Sequence, residues 1–349
     1  MMSIAKSETS ALNPPAVSHG ERADSGAQAA DAWANRGAIT IDMDALRCYR
    51  AIHGLPTQAD EDDPVYTKAL PRFCAAMAHI GARGTLFVVG SDLSRPAHRR
   101  ALEKAAAAGH EIASHSYGHD YALSRQSFAT ITADLWRCDE AIESLVGKRP
   151  CGFRAPGYNQ SDILFDAIEA LGYRYDSSFF PTPAYFAARG TALLTYRLRN
   201  RPSHSLLGEW REFAAARTPF RPDRDARFRA ARAPEQARPF WEIPISVASG
   251  ARIPWIGTTL SMVPQKVGSA LTVAAARGPG PCILELHGID FLDAQDAGDR
   301  ALAGAQRDLR VPAMKKHRRL RNVFRVLSQK RRLMPMAELV ARADESAGR

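Results

Sequence analysis

Short apolar runs alternate with longer amphipathic ones over about 300 residues, and this alternation constrains the fold more than any other feature of the chain. Residues 38–42 (AITID), 84–90 (GTLFVVG), 110–115 (HEIASH), 151–156 (CGFRAP), 173–178 (YRYDSS), 239–246 (PFWEIPIS) and 281–288 (PCILELHG) read as strands, with a last one near Leu333 and Met334. Helical patterns lie between them at 66–81, 95–109, 124–147 (opened by Ser124), 161–172, 264–276 and 337–343. Strand–helix alternation of this kind predicts an α/β fold: a parallel sheet with helices outside it, doubly wound or closed as a barrel. In such folds the chemistry sits at the C-terminal ends of the strands. The runs deliver Asp42 with Asp44, His115, Arg154, Asp176 and His287 to those ends.

His115 and His119 are four apart in HSYGH. On a helical turn that spacing puts both imidazoles on one face, able to grip one metal ion. Asp42 and Asp44 are two apart, so in an extended segment both carboxylates point the same way. Two histidines and one carboxylate make a three-ligand site with an open position for water, leaving the second carboxylate free to act as a base. Imidazole suits Zn2+, Co2+, Ni2+ or Fe.

Composition narrows the remaining classes. The 349 residues allow one large domain or two medium ones. No apolar run approaches the roughly 20 residues of a membrane helix. The five cysteines are odd in number and contain no CxxC pair, which argues against a disulfide framework and against a thiolate metal site. Residues 1–36 are rich in Ala, Ser and Gly, lack any period, and are expected to be a disordered tail; order is expected from Gly37. The N-terminus has no apolar core after its first charges, so the expected location is the cytoplasm. The net charge is +10 and the surplus is local: residues 310–332 hold ten Lys or Arg and no acid, and residues 186–238 hold twelve against five acids. Such regions suit an anionic partner or a merely solvated face. Leu320, Val323, Phe324 and Leu327 fall on one helical face of the first run, opposite a basic face that could bring the chain to an anionic membrane.

With these motifs in order, the chain resembles the polysaccharide deacetylases, the NodB-homology carbohydrate esterases. The resemblance rests on Thr40-Ile41-Asp42-Met43-Asp44, on HSYGH after GHEIAS, on RAPGY at 154–158, weakly on Tyr175-Asp176, and on Leu284-Glu285-Leu286-His287. It implies a distorted (β/α) barrel of about seven strands over residues 37–349, with metal-dependent amide hydrolysis. Carried over by position, Asp42 is the general base, Asp44, His115 and His119 hold the metal, Arg154 orients Asp42, and His287 is the general acid. A backbone N–H at Gly157 or Tyr158 helps hold the oxyanion. The metal expected is Zn2+ first, with Co2+, Ni2+ or Mn2+ as alternatives. Met43 separates the two acids, a spacing like the cytoplasmic branch of deformylases and allantoinase-like enzymes. The acid that partners His287 is not evident; Asp176 is the candidate.

The segment 179–238 has no counterpart in the minimal family core, and its prolines and aromatics suggest a lid over the barrel rim. The leading reading is a cytoplasmic N-deacetylase or N-deformylase of an acylated amino sugar, anionic or phosphate-linked, at the inner membrane face if the carrier is lipid. The alternatives are hydrolysis of a small cyclic or non-sugar amide, a catalytically dead binding barrel, and nucleic-acid binding. The last is disfavoured, since the 310–332 run holds one aromatic, Phe324, and no known nucleic-acid module.

Overall fold

The computed structural model describes residues 33–346 apart from 58–59, 199–202, 204–208, 210, 212–214 and 249. The expected tail up to residue 32, with Pro202 and Trp210 of the insertion, lies outside the described residues. The sheet is built from β1 (Arg36–Asp42), β2 (Thr85–Val88), β3 (Glu111–Ser114), β4 (Gly152–Phe153), β5 (Tyr175–Asp176), β6 (Trp241–Glu242), β7 (Cys282–His287) and β8 (Arg332–Leu333). Their spatial order is β7-β1-β2-β3-β4-β5-β6, with β8 beside the start of β1, and every pairing is parallel. These seven strands curl into a half-barrel of the distorted (β/α) type that the alternation predicts. Beyond β6 the Ser246 N–H donates to the Ile283 carbonyl (3.0 Å), bringing the two edges of the curl together.

Helices cover the outside: α1 (Leu70–His79), α2 (Pro96–Ala107), α3 (Phe128–Val146), α4 (Asp162–Ala170), α5 (Pro183–Leu198), α6 (Gln265–Ala276), α7 (Ala313–Ser328) and α8 (Met336–Ser346). Each opens where its sequence allows. Pro96 occupies the first turn of α2, where a missing N–H costs nothing. Ser161 caps α4 by accepting the Leu164 N–H. The long helix α3 is capped by Ser127, which accepts the Thr130 N–H, and not by Ser124, which lies buried in a preceding single turn. Leu320, Val323, Phe324 and Leu327 of α7 are buried, as their spacing predicts. The insertion contains α5 and a short hairpin pairing Pro222–Asp223 with Ala226–Ala230.

Strand parity places the site. In β1 and β7, Asp42 pairs with His287 and Thr40 with Glu285. Side chains two apart share a face, so these four converge inside the curl at its C-terminal end.

Candidate active site

Arg154, at the end of β4, is buried and satisfied on every side. Its Nη1 donates to Asp42 Oδ1 (2.6 Å) and to Thr40 Oγ1 (2.9 Å), its Nε to the Ser177 carbonyl (2.7 Å), and its Nη2 to Ser177 Oγ (3.0 Å). The guanidinium also lies on the Phe87 ring, 4.0 Å from its centroid. Such a held cation cannot lose its proton and keeps a carboxylate beside it. Burial nonetheless outweighs Arg154 and His115 and raises the Asp42 carboxyl above its usual range, making it a stronger base than an exposed aspartate.

His115 and His119 meet as expected, but not on a helical turn. HSYGH is a loop in which Ser116 and His119 take left-handed backbone angles, φ +64° and +54°. Asp134 of α3 pins it by accepting the Tyr117 and Gly118 N–H groups (2.8 and 3.0 Å), and Ser116 Oγ accepts the His119 N–H (3.0 Å). Nε2 of each histidine lies 3.2 Å from Asp44 Oδ1. His115 Nδ1 donates to the Arg154 carbonyl at 2.7 Å, which fixes the ring with Nε2 facing Asp44.

Asp44 Oδ1 and both ring nitrogens of His119 are buried and make no hydrogen bond. Orphaned polar atoms of this kind are costly unless something binds them. One atom each from Asp44, His115 and His119 lies within 4.8 Å of the other two. Two imidazoles and a carboxylate, with one imidazole braced from behind, fit a divalent cation of the Zn2+ type and leave a position open. Burial would raise Asp44, but His119 and His115 outweigh it and hold the carboxyl well below its usual range.

On the other side, His287 Nε2 lies 3.9 Å from Asp44 Oδ2, and Nδ1 lies 2.8 Å from Glu285 Oε1. Glu285, not Asp176, is therefore the acid that partners His287. Asp176 is turned away: its oxygens accept Gln160 Nε2 (2.9 Å) and Ser178 Oγ (2.6 Å), and it pairs across the sheet with Glu242. Burial would depress His287, but Glu285 and Asp44 outweigh it and raise the imidazole well above its usual range. The His287 N–H donates to Asp290 (2.8 Å), and the Tyr49 ring stands edge-on at 6.4 Å.

RAPGY lines the rim. Gly157 and Tyr158 both have positive φ, +61° and +62°. The Tyr158 N–H already donates to the Ala155 carbonyl (3.0 Å), which leaves Gly157 as the remaining one of the two expected oxyanion donors. The insertion reaches this loop: Arg189 of α5 donates to the Gly157 carbonyl (2.7 Å), and Tyr185 packs on Tyr158 and Phe180 at 5.8 and 5.2 Å. Glu285 stands inside the Leu284-Glu285-Leu286-His287 motif with no role assigned to it, and Tyr49, Tyr185 and Arg189 fall outside the motifs. Only Glu285 carries a usable signal, its two-residue spacing from His287.

The family model for polysaccharide deacetylase matches residues 61–175, which include His115, His119 and Arg154. Over that stretch the chain carries the signature of the polysaccharide deacetylase family. The acids Asp42 and Asp44 and the Glu285–His287 pair lie outside that match and join it through the fold. Over 102 residues the chain is 35% identical to a peptidoglycan deacetylase-like protein, FGM2, of Gibberella zeae, covering 28% of each chain. Over 81 residues it is 32% identical to a peptidoglycan deacetylase of Helicobacter pylori, covering 22% of this chain and 27% of that one. The alignments thus span about a quarter of the length of these relatives. A candidate polysaccharide deacetylase from Mycobacterium smegmatis superposes with a TM-score of 0.53 at 18% identity, covering 89% of this chain and 90% of that one, a likeness of fold.

Proposed function

We propose that the chain removes an acyl group, acetyl or formyl, from the nitrogen of an amino sugar by hydrolysis that depends on a divalent metal. The observation that carries this reading is the placement of two differently charged acid–base groups on either side of Asp44: Asp42 against Arg154 at 2.6 Å, and His287 against Glu285 at 2.8 Å. A carboxylate with a raised pKa and an imidazole with a raised pKa divide the labour of amide hydrolysis, one taking a proton and the other giving one.

Asp44, His115 and His119 would hold the cation, which when bound supplies Lewis acidity for the acyl oxygen and for water. Asp42 Oδ2, the oxygen not engaged by Arg154, accepts the proton of the attacking water. Arg154 fixes that carboxylate in place through Asp42 Oδ1. His287 Nε2 donates its proton to the sugar nitrogen as the C–N bond breaks, since an unprotonated amine is a poor leaving group. Glu285 holds the imidazole in the protonated form through Nδ1. The Gly157 N–H offers a donor for the oxyanion. Tyr158 and Phe180 are buried with half-buried Tyr185 packed on them, a cluster that braces the rim loop from behind.

A phosphate- or lipid-linked carrier and a cytoplasmic setting belong to this proposal as its finer part. The test is a panel of N-acetyl and N-formyl sugars incubated with the full chain and a divalent metal, with acetate and formate read by NMR. Release from at least one sugar, abolished by chelation, supports the reading; release from a small cyclic amide alone moves the substrate to the non-sugar branch.

A further inference from the structure

The basic run at 310–332 sorts into two groups once folded. Lys316 is buried and donates to the Ile289 carbonyl (3.0 Å), Arg319 binds the Met262 carbonyl (3.1 Å), and Arg331 binds the carbonyls of Ala276 and Gly278. Lys315, Arg318, Arg321 and Arg325 instead face outward along α7, spaced three, three and four residues apart. They line a groove of about 880 Å³ between α7 and the end of α1, where Arg321 Nη2 meets His79 Nε2 at 3.2 Å. No acid lines this groove, and none of the four cations is in an ion pair among the described residues.

Elsewhere the chain pairs its arginines closely: Arg72 with Asp296, Arg47 with Asp92, and Arg238 with Asp166 and Glu169. Like charges three and four residues apart on a helix repel one another. A bound anion relieves that repulsion, and guanidinium forks match phosphate oxygens in geometry. Ten residues of helix set the row at about 15 Å, long enough for several phosphates in line. Four exposed cations in a single row along one helix match a linear chain of phosphates more closely than they match a broad surface.

We propose that this groove binds an extended phosphate-bearing anion lying lengthwise along α7, at a site separate from the catalytic one. Calorimetric titration of the full chain with tripolyphosphate at low salt tests it. The expected result is one site per chain, with an affinity that falls steeply as salt rises. Changing Arg318, Arg321 and Arg325 together to Gln should weaken binding about tenfold or more, and changing them to Lys should lose less. Arg321→Gln alone should weaken it measurably, so the outcome does not depend on the triple variant folding. A control that removes Arg100, Lys266 and Arg277 should bind as the wild type does. Absence of binding, or an equal loss in the control, overturns the proposal. Sedimentation with phosphatidylglycerol vesicles that tripolyphosphate cannot displace, lost in the triple variant, also overturns it in favour of a membrane surface.

Discussion

Glu285 and His287 stand two residues apart on one strand, and Oε1 of the first lies 2.8 Å from Nδ1 of the second. Because residues two apart in a strand share a face, a single segment supplies both the proton donor and the group that keeps it charged. Glu285 is fully buried beside Thr40, so its charge acts on the imidazole with little screening by water.

Glu285→Gln should therefore move the alkaline side of the pH–rate profile to lower pH. Glu285 raises His287, the protonated imidazole is the active form, and activity falls as pH rises through that pKa. Without the carboxylate the fall begins sooner. Turnover above neutrality should drop roughly tenfold or more, within the range expected of a general acid. An unmoved alkaline limb would mean that another group supplies the proton.

Asp42→Asn should retain metal and lose turnover by about 10²–10⁴-fold, the usual contribution of a positioned base. Asparagine still offers Arg154 an oxygen, so the fold should survive. Arg154→Leu is different, since it leaves Asp42 buried without its cation and should cost about 3–5 kcal/mol in denaturant unfolding. Wild-type turnover in the Asn variant would remove Asp42 from the base role.

Gly157→Ala tests the rim. The glycine has φ +61°, and an added Cβ would lie 2.8 Å from the Tyr121 ring and 3.0 Å from Arg189. Backbone strain of about 1–3 kcal/mol is expected. The loop should shift, lowering kcat with metal content unchanged; full activity would argue against an oxyanion donor here.

Arg189→Ala should loosen the insertion from the rim, because its hydrogen bond to the Gly157 carbonyl ties α5 to the RAPGY loop. KM should rise with kcat nearly constant. If kcat falls as KM stays fixed, Arg189 acts on the chemistry and not on substrate retention.

The alternation of apolar runs was enough to anticipate the parallel sheet, because buried parallel strands must be continuously apolar. Strand-end position was enough to find Asp42, Asp44, Arg154 and His287. Glu285 was open to the same two-residue reasoning used for Asp42 and Asp44, yet its apolar neighbours Leu284 and Leu286 make it resemble a core strand residue. Asp176 failed as its substitute because sequence position cannot tell which way a carboxylate is turned; Gln160 and Ser178 decide that. The left-handed Ser116 and His119 were not foreseeable, since such angles are uncommon outside glycine. Helix α5 did carry a signal in Pro183 at its first position, masked by the prolines around it.

The most direct measurement is metal add-back to chelator-stripped protein, following acyl release from the best substrate of the panel. One equivalent of Zn2+ or Co2+ per chain should restore hydrolysis in the wild type and none in His119→Ala, which keeps too few ligands. Full hydrolysis by the stripped wild type, or recovery in His119→Ala at one equivalent, would contradict a metal centre at Asp44, His115 and His119.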